Sequence, residues 1–247
     1  MNPFSFLFNI FLYRPMLNIL IWLYGLIGNF GVAIIILTLG LKAILHPINK
    51  KSIESQKVMA EIQPKMKAIQ KKYKNNQQKQ AEELVKLYQQ EKFNPFFSTI
   101  LLFIQIPILF ALFYVVRNGM DINQLSAELY SFVKLPSAIY PYLFNFNGLK
   151  LDLSQPNIPL AALTALAQFW QVKTATPPPP PSDNSDGKEN TMAEVSVMMQ
   201  KQMIFFMPIL TFIILFRAPS ALGLYWILTT LISVFEQKVL LNKQKIK

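Results

Sequence analysis

The chain has 247 residues, of which 52% are hydrophobic and 15% are charged, and it carries a formal net charge of +11 with no cysteine. The lack of cysteine excludes disulfides, thiolate metal sites, cysteine nucleophiles and a lipidated N-terminal cysteine. The apolar residues are grouped in runs that approach bilayer-spanning length, a pattern that indicates an all-α, polytopic membrane protein.

Residues 1–28 start with an apolar run that has neither a preceding basic region nor a small-residue cleavage pattern, so we expect this segment to be retained. Its Arg14, Asn18, Trp22 and Tyr24 favour an amphipathic helix that lies at the membrane interface. The alternative is that the first transmembrane span continues back into this segment.

Five apolar segments are candidate transmembrane helices. They cover residues 29–46, 94–117, 157–173, 203–217 and 219–240. Several are shorter than the roughly 20 residues that cross a hydrocarbon core of about 30 Å, which indicates tight boundaries or a locally thinned bilayer.

The distribution of lysine predicts the orientation. Residues 47–93 contain 11 Lys and 5 Glu, whereas Arg14 is the only basic residue before the first span. The positive-inside rule therefore places the N-terminus outside and residues 47–93 in the cytoplasm. Alternation then places residues 118–156 outside, and residues 174–202 and the basic tail, residues 241–247, in the cytoplasm.

Residues 47–93 are polar but have the apolar period of a helix. The spacing predicts two antiparallel arms, separated at residues 74–77, with Pro64 kinking or breaking the first. Their apolar stripe consists of Met59, Ile62, Met66, Ile69, Tyr73, Ala81, Leu84 and Tyr88. This hairpin is either a solvated tether or a docking arm for an anionic partner such as RNA or lipid headgroups. The lysines that would dock are Lys50, Lys51, Lys57, Lys65, Lys67, Lys71 and Lys72.

Residues 174–202 contain a five-proline run at 177–181, followed by a Ser, Asp, Asn and Gly stretch. This composition predicts a disordered loop with a short polyproline II rod, which serves as a spacer more readily than as a ligand.

Lys42 is a lone cation in an apolar stretch. A charge at membrane depth persists mainly where it faces protein, water or a function. The competing interpretation is that its flexible side chain reaches the interface, because Pro47 follows five residues later. Thr38 lies four residues before Lys42 and shares its helix face.

Other polar side chains in the spans could converge on that face and form a hydrophilic groove. The candidate groove residues are Lys42, Thr38, Gln105, Gln168, Gln171, Tyr225 and Trp226. Ordinary hydrogen bonding between helices is the alternative. The sequence shows no enzyme constellation, metal set or cofactor motif: His46 is the only histidine, and Glu236, the sole carboxylate in any span, is expected at the interface.

Ordered motifs over most of the chain resemble the YidC/Oxa family of membrane protein insertases. They are LTLGLKAILHPINKKSIES, IQPKMKAIQKKY, EKFNPFFSTILLFIQIPILFALFYVVRNG and FFMPILTFIILFRAPSALGLYWILTTLISVFEQ. The resemblance implies a non-enzymatic insertase of the bacterial inner membrane, with five spans around a hydrophilic groove. It also implies one characteristic positive charge in the first span, where Lys42 stands in place of the family's usual arginine.

The resemblance further implies that Lys42 draws polar flanks of nascent membrane proteins into the groove while their apolar segments move into lipid. The implied partners are the ribosome, the signal recognition particle pathway and the Sec translocon, met by the hairpin and the tail. Two other functions stay open: a small-solute or anion transporter that uses Lys42 as a counter-ion, and an assembly factor that binds folded subunits through the hairpin.

Overall fold

A computed structural model describes residues 3–94, 96–118, 122–136, 144–146, 149–175 and 192–245. The helices, in chain order, are α1 (Pro3–Phe8), a π-helical turn (Asn9–Tyr13), α2 (Arg14–Ile27), α3 (Phe30–Lys72), α4 (Gln77–Gln90), α5 (Phe96–Asn118), α6 (Ile122–Glu128), α7 (Ile158–Ala175), α8 (Met192–Arg217) and α9 (Ser220–Lys245). Strands β1 (Phe144–Phe146) and β2 (Leu149–Leu151) form an antiparallel ribbon in which Phe144 lies opposite Leu151. The all-α prediction is confirmed, with this ribbon as a short exception. The predicted polyproline rod lies outside the described residues.

Gly28 and Asn29 separate α2 from α3. Gly28 has a φ of 71°, a left-handed conformation that suits glycine, and its amide donates to the Tyr24 carbonyl at 2.7 Å. The Asn29 side chain then accepts a hydrogen bond from the Val32 amide at 3.1 Å and caps α3. The first span is therefore not continuous with the preceding helix.

The α3 helix continues through both of its prolines. We expected Pro64 to kink the first hairpin arm or to break it, and no break is present, because one helix runs from Phe30 to Lys72. Each proline removes one backbone hydrogen bond. Asn49, Ser52 and Ile53, which follow Pro47, are buried, and this packing holds the helix together past the missing bond.

A large apolar core joins α2, α3, α5 and α9. A smaller cluster consists of Ala161, Leu215, Ala218 and Leu222, from α7 to α9. At Gly223 the helices α7 and α9 approach so closely that a Cβ would lie 3.2 Å from the Leu160 side chain. An alanine at this position would require the Leu160 side chain to shift by a few tenths of an ångström.

Two described stretches, Ser5–Ile27 and Phe30–Lys72, are long and apolar enough to cross a membrane, and Phe103–Arg117 and Ile204–Arg217 are shorter apolar helices. The α8 helix starts at Met192, inside the segment predicted as a loop. Residues 192–202 contain no proline or glycine, so nothing in their sequence stops the helix from extending.

The polar residues of α2 contact protein. Arg14 pairs with Glu128 at 2.8 Å, and the buried Asn18 side chain donates to the Glu128 carbonyl at 3.1 Å and accepts from the Tyr130 amide at 2.6 Å. The exposed face of α2 is apolar instead, with Ile19 and Trp22 among its residues. Arg14 and Asn18 are thus used for docking α2 on the 122–136 segment.

The second half of α3 and α4 form an antiparallel hairpin with its own core. Ile62, Leu87 and Phe93 are buried in it. Lys65 Nζ reaches Glu91 Oε1 at 2.5 Å across the two arms. The predicted stripe is correct for the first arm, but in the second arm Leu87 is buried and Ala81 is exposed. Three- and four-residue spacings fit more than one face of a short helix. They therefore do not determine which face of α4 is buried.

Candidate functional site

Lys42 lies between two helices that run in the same direction. Its half-buried side chain donates from Nζ to Ser233 Oγ at 2.6 Å, and Ser233 in turn donates to the Thr229 carbonyl at 2.8 Å. Lys42 is on α3 and Ser233 on α9, so the contact joins elements 191 residues apart. The Lys42 ammonium is therefore held by a side chain of another helix.

Two further polar pairs lie on the faces of α5, α7 and α9. Gln105 Nε2 donates to the Tyr225 hydroxyl at 2.9 Å. Trp226 Nε1 donates to Gln168 Oε1 at 3.0 Å, and Thr230 donates to the same oxygen at 3.4 Å. Four of the predicted groove residues thus meet in pairs around α9.

Thr38 and Gln171 are placed differently. Thr38 is fully buried and donates to the Ile34 carbonyl of its own helix at 2.7 Å. Gln171 lies half-buried near the end of α7, where its backbone carbonyl accepts from Thr174 at 2.9 Å. The structure therefore joins Lys42, Gln105, Gln168, Tyr225 and Trp226 to polar partners through their side chains, whereas Thr38 serves its own helix.

Glu236 forms a cluster that the sequence did not reveal. His46 Nδ1 lies 2.6 Å from Glu236 Oε1, and Asn49 Nδ2 donates to Glu236 Oε2. The Glu236 side chain is only 12% exposed. The signal that could have found this cluster is spacing: His46 follows Lys42 by four residues and Glu236 follows Ser233 by three, so each pair shares a helix face.

The row continues toward the hairpin. Gln237 Nε2 donates to Gln56 Oε1 at 3.2 Å, and Thr174 of α7 donates to Gln237 Oε1 at 3.3 Å. We call this row the α3–α9 seam; its residues are Lys42, His46, Asn49, Gln56, Ser233, Glu236 and Gln237. In this arrangement the polar side chains of the seam are paired with one another across the helices, as buried polar groups generally are.

Several of the candidate docking lysines are already engaged in the hairpin. Lys50 lies 4.0 Å from Glu54, Lys57 lies 3.6 Å from Glu61, and Lys65 pairs with Glu91. Lys51 and Lys72 lie over the rings of Phe97 and Tyr73 at 6.0 and 5.3 Å. Lys67 and Lys71 are half-buried and exposed, respectively. The hairpin surface therefore carries mixed charge and not a uniform basic patch.

A cavity of about 590 Å³ lies elsewhere, lined by residues that include Phe8, Leu17, Tyr114 and Leu125. It is formed by the N-terminal helices, α5 and α6, away from Lys42. Within the described part of the chain, no three His, Asp or Glu side chains are placed to hold a metal ion. The seam is therefore separate from this cavity and consists of a row of polar groups between α3 and α9.

Comparison with known proteins gives one family. A family model described as 60Kd inner membrane protein matches residues 22–247. The membrane protein insertase YidC of Fusobacterium nucleatum is 32% identical over 217 residues, which are 88% of each chain. The relative of the same name from Beijerinckia indica is 32% identical over 238 residues, which are 96% of this chain and 38% of that protein. The one from Brucella suis is 30% identical over 242 residues, 96% of this chain and 36% of that protein.

The family model covers the seam, the hairpin and all the motifs of the resemblance. The chain spans less than two fifths of the length of the Beijerinckia and Brucella relatives. The relatives are named for the insertion of membrane proteins and not for an enzymatic reaction. The chain belongs to the 60Kd inner membrane protein family, which is the YidC/Oxa family of membrane protein insertases.

Proposed function

We propose that this chain is a membrane protein insertase of the bacterial inner membrane that acts without enzymatic chemistry. The observation that carries the proposal is Lys42, a cation at a predicted membrane depth that is held 2.6 Å from Ser233. A buried cation costs free energy unless it has partners or a function. The family and the names of its members support insertion as that function.

The proposed groove combines the seam with the two polar pairs beside it, Gln105 with Tyr225 and Gln168 with Trp226. Lys42 attracts a polar or acidic flank of a nascent protein, and the side chains of the two pairs replace part of the water that the flank leaves. This lowers the desolvation cost of moving the flank past the inner leaflet. Burial of roughly 20 apolar residues in hydrocarbon then supplies the free energy, and no nucleotide is required.

The apolar segment of the substrate leaves along α7 and α9. Leu163 and Leu166 of α7 are 55% and 65% exposed, and Leu231 and Phe235 of α9 are 43% and 68% exposed. These side chains offer an apolar surface next to the polar seam. A segment sliding along them stays in contact with lipid on one side and protein on the other.

The proposed topology has five spans, an outer N-terminus and a cytoplasmic C-terminus. Contacts at the two ends of the bundle support it. The Ser220 amide at the start of α9 donates to the Gln155 carbonyl, just before α7, at 2.9 Å. The Gln56 to Gln237 contact lies at the opposite end, beside the hairpin. The parallel course of α3 and α9 suits a first and a fifth span.

The proposed partners are nascent membrane proteins and the lipid bilayer, and, through the hairpin and the basic tail, the ribosome, the signal recognition particle pathway and the Sec translocon. Because Lys50, Lys57 and Lys65 each lie near a glutamate, the hairpin would recognise a partner through mixed charge.

Insertion into liposomes that contain the full chain tests the proposal. The test substrate is a single-span protein with an acidic translocated tail, and protease protection of the tail is measured. We expect Lys42→Arg to keep insertion, Lys42→Ala to lower it and Lys42→Glu to lower it further, because only the first keeps the cation.

Lys57→Glu is the matched control. It reverses the charge of another lysine of α3, one that lies in the hairpin. Equal insertion by the three Lys42 variants and the wild type would contradict the proposed groove. Flux of small anions through the liposomes that depends on Lys42, without insertion, would show a transporter instead.

A further inference from the structure

The carboxylate of Glu236 is held on the α3–α9 seam by two side chains of α3. His46 contacts one oxygen at 2.6 Å and Asn49 donates to the other. The carboxylate is therefore fixed in direction and faces α3. Glu236 is the only acidic residue of α9.

This carboxylate lies one helical turn from the Lys42 contact. Ser233, which accepts from Lys42, precedes Glu236 by three residues on α9, and His46 follows Lys42 by four residues on α3. Residues at these spacings have Cβ atoms about 5–6 Å apart. The seam thus presents a positive and a negative group in a fixed order.

We propose that Glu236 determines the charge specificity of the seam, which selects substrate flanks that carry both an acidic and a basic residue. The inference rests on the proposed insertase function and names its substrate class. The acidic group of the flank lies at Lys42, and its basic group lies one turn closer to the hairpin, at Glu236.

Electrostatics gives the reason for this selection. A purely acidic flank meets attraction from Lys42 and repulsion from Glu236 in a partly desolvated site, where charges interact more strongly than in water. A flank with both charges is attracted at both positions. Like-charge juxtaposition is a general means of rejecting wrong partners.

Two lysines near this end of the bundle carry the charge opposite to that of Glu236. Lys238 Nζ lies 4.6 Å from the centroid of the Trp170 ring, and Lys173 Nζ lies 5.9 Å from that of Phe169. Both lysines are cations and contact α7 rings. His46 and Asn49 act as positioning residues for the carboxylate.

The experiment compares three test substrates in liposomes that contain the full chain: one with an acidic tail, one with a basic tail and one with both charges. We expect the wild type to insert the mixed tail roughly three- to tenfold better than the acidic tail, a difference of about 0.7–1.4 kcal/mol. Glu236→Gln removes the charge, keeps the size of the side chain and one of its two acceptor oxygens, and is expected to abolish this preference. Glu236→Asp is expected to retain it.

Glu82→Gln is the matched control, because it makes the same change at an exposed carboxylate of α4, beside Lys86 and away from the seam. The inference is overturned when Glu236→Gln leaves the ratio of mixed to acidic insertion unchanged, or when Glu82→Gln shifts it equally. Lys42→Ala distinguishes a failure of the proposed insertase groove from a failure of the proposed charge selection. Failure of Lys42→Ala to affect any tail contradicts the insertase groove itself, whereas a Lys42 effect without a Glu236 effect contradicts only the charge selection.

Discussion

The two halves of α3 hold their lysines in opposite settings. In the first half, Lys42 contacts Ser233 within a bundle whose core is apolar. In the second half, Lys57 and Lys65 are 40% and 59% exposed and lie near glutamates in the hairpin. The hairpin has many more charges, yet each one costs little desolvation free energy because water reaches it. The setting of a charge, and not the number of charges, therefore marks the candidate site.

The cores differ in the same way. The hairpin is held by a small apolar cluster around Ile62, Leu87 and Phe93, with its ion pairs on the outside. The seam has its polar groups inside, between two helices. Removing an apolar group should therefore damage the hairpin, whereas removing a polar partner should damage the seam.

The largest expected effect is in the hairpin core. Ile62, 1% exposed, packs near Leu87, and Ile62→Ala should lower the free energy of local unfolding by about 2–5 kcal/mol, because it removes buried methyl groups and leaves a cavity. Hydrogen exchange of the hairpin amides measures this change. Val85→Ala is the control, since Val85 is 52% exposed on α4 and should cost little. A similar loss of protection in both variants would contradict the proposed core.

The Lys42–Ser233 contact should give the next largest effect. A double-mutant cycle with Lys42→Met and Ser233→Ala, followed by thermal unfolding in detergent, is expected to give a coupling energy of about 1.5–3 kcal/mol, the range for a hydrogen bond to a charged group. Ser233→Thr keeps the hydroxyl and should retain the coupling. A coupling near zero would mean that the two side chains act independently.

A smaller effect is expected for the ion pair between the hairpin arms. Lys65→Ala should cost at most about 1 kcal/mol, because the Lys65 side chain is 59% exposed and its interaction with Glu91 is screened by water and salt. Urea unfolding of the hairpin, followed by hydrogen exchange, measures it. A cost as large as that of Ile62→Ala would remove the distinction between the apolar and the charged contacts of this region.

The smallest effect is a dependence on alkaline pH. Burial raises the pKa of the half-buried Tyr88 phenol above its ordinary value. A group with a raised pKa in the folded state contributes stability below its unfolded pKa of about 10, and that contribution is lost as the pH rises through the folded pKa. The hairpin should therefore weaken above about pH 10, and Tyr88→Phe should remove this dependence. An unchanged pH profile in Tyr88→Phe would assign the loss to another group.

The sequence predicted the elements better than the contacts between them. The period of Met59, Ile62 and Met66 identified the first hairpin arm, and the break after Tyr73 separated it from α4. Lys42 and most of the candidate groove residues were identifiable because a polar side chain in an apolar run costs free energy and persists mainly where it has a partner or a function.

The partners of those residues could not be predicted in the same way. Ser233 is 191 residues from Lys42, and a serine in an apolar helix gives no sign of which helix it faces. His46 and Glu236 each look like ordinary interfacial residues until α3 and α9 are placed side by side. The sequence shows that Pro47 removes a backbone hydrogen bond from the helix. It does not show the packing of Asn49 and Ile53 that offsets this loss.

The continuous α3 helix also has a mechanical consequence. Thirty residues separate Lys42 from Lys72, a helical length of about 45 Å at roughly 1.5 Å per residue. The contacts of Asn49 and Gln56 with α9 tie the helix to the bundle beyond Pro47. The sixteen residues from Gln56 to Lys72 then form a lever of about 24 Å. A load applied at the hairpin tip therefore reaches the seam first at Gln56.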